Sequence, residues 1–180
     1  MVDRDQNGKV KPDLITRLKQ MSEKVPGLTA FQGREKVRER DKIVRDHIAD
    51  KLDVAKEQVN KFKQALLGKM QLGLLSDADR VTSQLDRLRE KIRHETYGYT
   101  GAFDENRILE PELNKLTDYD LQLLEKVDSF VAAGKALPGE QAGEQEAKAA
   151  VDALRVELST IAELIDRRRD ALLNLSGKEG

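Results

Sequence analysis

Apolar residues along the chain recur at spacings of three and four, the repeat of one helical face. The longest line is Val37, Val44, Ile48, Leu52, Ala55, Val59, Phe62, Leu66 and Met70, which predicts a helix from about Arg34 to Gln71. At about 1.5 Å per residue that helix is roughly 55 Å long. Ahead of it, Leu14, Ile15, Leu18 and Met21 share one face of a short helix expected from about Pro12 to Lys24, proline being tolerated in the first turn. The stretch VPGLTAFQG, with Pro26, Gly27 and Gly33, separates the two.

Beyond the long helix, GKMQLGLLSDAD carries Gly68 and Gly73 and then Ser76 with Asp79 three residues on, the pattern of a helix N-cap. A tight bend is expected here, followed by a third helix from Asp77 to about Glu95 carrying Val81, Leu85, Leu88 and Ile92. So short a bend folds the two helices into an antiparallel hairpin. One continuous helix would have to absorb both glycines at about 1 kcal/mol each against alanine. After the irregular TYGYTGAFDENR, EPELNK opens a helical turn at Pro111, and Thr117 with Asp120 again resembles an N-cap pair. Leu121, Leu124, Val127 and Val131 continue a stripe towards Ala136. GKALPGEQAG reads as a linker.

The last helix is expected from about Glu144 to Ser176. Val151, Leu154, Leu158, Ile161, Ile165, Arg168, Leu172 and Leu175 step by alternating threes and fours, an unbroken heptad register in which only Arg168 is polar. Such a seam commits the helix to a partner helix, from this chain or from another copy, and homo-oligomers joined along it are expected. Arg168 either sets register within a continuous seam or lies in solvent where the seam opens near its end, and the open end is the favoured reading. On the continuous-seam reading Arg168→Leu should raise thermal stability.

Composition supports long helices packed along narrow seams. Charged residues make up 36% of the chain and aromatics 4%, tryptophan is absent and mean hydropathy is -0.63, so little bulky apolar matter is available for a wide interior. The near-neutral total hides an asymmetry: residues 1–95 carry 22 Lys+Arg against 16 Asp+Glu, and residues 96–180 carry 10 against 17. Pairing of the two halves inside the fold or between subunits is the favoured use of that asymmetry, and an anionic partner for the basic half is the other.

Candidate chemistry is sparse. Without cysteine there are no disulfides, thiolate zinc sites or cysteine nucleophiles. Nucleophile-elbow, Walker A and dinucleotide-binding signatures are also missing from the sequence. DRDQNGKVKPDL places Asp3, Asp5 and Asn7 as an EF-hand loop does, but Leu14 stands where a bidentate Glu would complete the site, so a polar turn is the better reading. Asp46, Asp50 and Asp53 beside His47 share a helix face with Lys42, Lys51 and Lys56, which reads as a salt-bridged surface rather than a metal site. Glu90 and His94 lie four apart, not the three that a di-iron bundle uses. Tyr97, Tyr99 and Phe103 follow the basic run RLREKIRH and form the candidate partner-binding loop, their other use being to cover the end of a bundle.

Together these features predict an all-α protein: an elongated helical hairpin or bundle with long coiled-coil-like helices. It divides into a polar leader with a short helix (1–33), a hairpin with the following helix (34–137) and a linker with the heptad helix (138–180), forming one structural domain. The expected function is non-enzymatic and needs no cofactor: a scaffold or adaptor acting through protein partners and self-association. Binding of a membrane surface or nucleic acid through the basic half is the alternative. The polar first residues and the lack of a long apolar run lead us to expect a soluble, cytoplasmic protein.

Overall fold

A computed structural model describes residues 13–28, 37–95, 110–139 and 141–176. They form five helices: α1 Leu14–Lys24, α2 Val37–Gly68, α3 Leu72–Arg93, α4 Glu110–Lys135 and α5 Glu144–Ser176. Asp13 caps α1, its Oδ1 accepting from the Thr16 N–H at 2.8 Å. Only part of the apolar face expected of α1 turns inward. Met21 is buried but Ile15 is 78% exposed, while Arg17 is buried and donates to Asn114 O of α4 at 3.2 Å and pairs with Asp118 at 3.0 Å.

The expected hairpin of α2 and α3 forms, but no glycine makes its turn. Gln71 N–H bonds Leu66 O at 3.1 Å and Met70 N–H bonds Leu67 O at 3.0 Å, the pair of bonds that defines a Schellman ending. Met70 takes the left-handed position at φ 56°. The helix that follows therefore begins at Leu72, five residues earlier than the Ser76 cap implied, and no side chain caps its start. Ser76 lies inside α3, because the turn closes at residues 69–71 and Leu74 and Ala78 are then carried into the core.

A similar correction applies to α4, which begins at Glu110, so Thr117 is internal. The Thr117 hydroxyl donates to Leu113 O at 2.8 Å rather than capping. The buried stripe of α4 runs through Leu116, Leu123, Leu124, Val127 and Phe130, whereas Leu121 and Val131 sit at its margin. α5 matches its expected bounds.

Four of the helices form a ring. α2 packs on α3 and α4, α5 packs on α3 and α4, and among the described residues neither diagonal pair packs backbone against backbone. Ion pairs fix the directions. Arg93–Asp50, Arg89–Asp53, Lys56–Asp86 and Lys63–Asp79 run α3 antiparallel to α2. Lys51–Asp128, with Gly134 against Gln58, runs α4 parallel to α2, and Asp120–Arg168 with Lys126–Glu157 runs α5 antiparallel to α4. The α2–α3 turn and the α4–α5 linker thus share one end, where Lys69 Nζ donates to Ala142 O. The starts of α2 and α4 and the ends of α3 and α5 share the other. α1 lies along α4, with Met21, Val25 and Leu28 joining a core that draws on all five helices.

Candidate functional site

At the end of the ring away from the turns, the α5 seam leaves hydrocarbon and meets charge. Val151, Leu154, Leu158, Ile161 and Ile165 are buried in the core of this chain, and Leu172 is buried beyond them. Their partners are helices of the same chain, so the seam expected to join copies is occupied internally. Arg168 between them is 0% exposed, which overturns the open-ended reading. The Leu175 side chain lies outside the described residues.

Arg168 stays inside because its planar fork of donors is matched on three sides. Nε donates to Asp120 Oδ1 at 2.7 Å, Nη1 to Glu95 Oε2 and Nη2 to Asp41 Oδ1. One carboxylate comes from α4, one from just past α3 and one from α2, so a single guanidinium of α5 touches every other helix of the ring. The second oxygen of Asp41 accepts from Arg45 Nε at 2.8 Å. Arg45 Nη1 in turn donates to Ile92 O at 3.2 Å and Arg93 O at 2.9 Å, satisfying carbonyls that the end of α3 leaves open. Arg40 is buried alongside, and three arginines then balance three carboxylates.

Burial pushes the carboxyls of Glu95 and Asp120 above their usual range despite the opposing pull of Arg168. Burial also disfavours charge on Arg168, but Asp120, Asp41 and Glu95 together outweigh it and hold the guanidinium charged. Burial lowers Arg40, against the pull of Asp120 and Asp41. Beyond this layer Leu113, Leu116, Ala171 and Leu172 are buried apart from the main core, so the charges lie between two apolar groups.

Chemically the cluster is inward-looking. Both oxygens of Asp41 and one each of Asp120 and Glu95 are taken by arginines, while Glu95 Oε1 is buried without a hydrogen-bond partner among the described residues. Glu95 also lines a 240 Å³ depression with Glu90, Lys91, His94 and Arg169, where His94 Nε2 lies 3.1 Å from Glu90. Among the described residues no group of three or more His, Asp or Glu is placed to hold a metal ion. Asp50 and Asp53, read as a salt-bridged surface, do pair, but with Arg93 and Arg89 of α3 rather than with lysines of their own helix. His47 faces the backbone of Lys24, and burial lowers its pKa.

Asp3, Asp5 and Asn7 and the aromatic trio Tyr97, Tyr99 and Phe103 lie outside the described residues. Sequence reasoning singled out Arg168 but not its partners. A signal for two of them was present: Asp120 sits four residues after Leu116 and three before Leu123, and Asp41 three before Val44, both at core steps of their helices. Comparison with protein-family models, with curated proteins and with solved structures gives no match for this chain.

Proposed function

We propose that this protein is a non-enzymatic helical scaffold or adaptor that binds other proteins, including further copies of itself, through the outer faces of its long helices. The observation that carries the reading is the outer face of α5. There Ala149, Ala153, Val156 and Thr160, at steps of four, three and four, are all exposed, Val156 to 69%. A bulky aliphatic side chain among small neighbours on a rigid helix is a surface that a second helix can approach closely. The ion cluster fits the same reading, since its perturbed groups are spent on one another and hold four helices in register.

Light scattering coupled to size exclusion tests self-association. The expected mass is a multiple of 20.3 kDa, falling towards the single-chain value in Val156→Glu. A wild-type mass of one chain at every concentration from about 1 to 100 µM rejects it.

A further inference from the structure

α1 is the least supported helix. At backbone level it packs on α4 alone, whereas each of the other four packs on at least two neighbours. It runs parallel to α4, from Arg17 beside Asp118 to Lys24 beside Asp128. Met21 on its inner face and Val25 and Leu28 just past its end are buried, while Ile15 faces solvent. Eleven residues are too few to stay helical without that support. α1 is thus a strap along the side of the bundle, and its hold depends on a few groups.

One of those groups is titratable. His47 of α2 faces the backbone of Lys24, where the end of α1 leaves carbonyls open, and its Nε2 is buried without a hydrogen-bond partner among the described residues. The charged groups around the ring are Asp50 and Lys51 of its own helix and Asp128 of α4, with the Lys24 ammonium of α1 beside Asp128. Both acids are already taken. Asp50 pairs with Arg93 of α3 at 2.6 Å, and Asp128 meets Lys51 with one oxygen and Lys24 with the other, at 3.6 Å from Lys24. A neutral ring fits this place. A proton on Nε2 adds a third cation around Asp128 and a buried N–H with no acceptor. Lifting the end of α1 relieves both, because water then reaches the ring.

We infer that His47 is an acid-sensitive catch for α1: its protonation undocks the strap and uncovers the stretch of α4 between Asp118 and Asp128. What is uncovered is a strip on the side of the bundle, and no described helix is long and apolar enough to cross a membrane. The device is independent of the α5 face, and Val156→Glu should leave it unchanged.

The sign follows from burial, which holds the folded His47 pKa below its ordinary value of about 6.5; Lys51 adds to the effect, and Asp128 and Asp50 oppose it. An undocked, hydrated ring returns to the ordinary value. Docking is therefore at full strength above that value and weakens as pH falls towards the folded pKa. Across that window the open fraction rises by up to about tenfold per pH unit, and below it the rise levels off.

Hydrogen exchange of the intact chain, corrected for intrinsic rates and followed by NMR at about pH 7.5 and about pH 5.5, is the test. Protection of the α1 amides is expected to fall at least about threefold at the lower pH, while the α3 and α5 amides keep theirs. His47→Gln, which cannot take the charge, should remove this dependence. Lys51→Gln frees one oxygen of Asp128 for the ring, so His47 should titrate at higher pH and the loss of protection should shrink; this variant serves if His47→Gln proves unstable. Equal α1 protection at both pH values overturns the inference. So does an unchanged pH dependence in His47→Gln, which places the sensor elsewhere, or a loss shared by all five helices, the mark of global acid unfolding.

Discussion

Arg168 shows how one residue changes meaning with its surroundings. Read as a lone polar residue in a heptad seam, it is a cost, and leucine there should stabilise. Surrounded by Asp41, Glu95 and Asp120, it is the counter-charge of three buried carboxylates. Arg168→Leu is therefore expected to destabilise by about 3–5 kcal/mol near neutral pH, as is usual when one side of a buried ion pair is removed. The loss should shrink on acidification as the stranded carboxyls protonate; urea denaturation at two pH values measures both effects.

Glu95 gives the complementary case. Its folded pKa is raised above 4.5, so between 4.5 and that raised value the folded state holds a proton that the unfolded state has lost. Its ionisation thus subtracts stability as pH rises through the folded pKa, and the penalty is absent below 4.5. Glu95→Gln, which mimics the protonated form, should be more stable than wild type at neutral pH, with the difference disappearing in acid; a difference independent of pH would contradict it. Arg168 could be picked out in the sequence, but its carboxylates lie 48, 73 and 127 residues away, and heptad counting cannot see across that distance.

At the level of elements, periodicity outperformed capping signals. The inward faces of α5 from Val151 to Ile165 and of α2 from Val44 to Leu66 follow from threes and fours alone, because a buried face constrains every turn of a helix. The starts of α3 and α4 did not follow from Ser76/Asp79 and Thr117/Asp120. Each of those pairs lies inside its helix, and Asp120 is spent on Arg168. A cap motif is a local preference worth about 1 kcal/mol, which core burial readily overrides. The same contest explains the hairpin turn, where glycines marked the bend but Met70 makes it. Met70→Gly should raise stability by about 1 kcal/mol by relieving a left-handed non-glycine residue, a gain that thermal melts can read.

For the whole molecule, the all-α bundle was legible in composition and period, while the arrangement of the ring was not. Charge asymmetry between the halves does find use, in Arg17–Asp118, Lys51–Asp128 and Lys91–Asp166. Much of the pairing nevertheless stays inside the first half, between α2 and α3. Net charge gave the sign of the attraction and not its partners, since each contact depends on which helix faces which.

The two ends of the ring are held together by different means. At one, the chain joins α2 to α3 and α4 to α5; at the other it passes only from α3 to α4, and the Arg168 cluster ties α2 and α5 to them. Both the start of α2 and the finish of α5 emerge at the clustered end. A tensile load applied between those two points would therefore peel the bundle open from its charged layer, one contact after another, instead of shearing all the seams at once. In mechanical terms Arg168 is the clasp of a zipper, and the turns are its closed end.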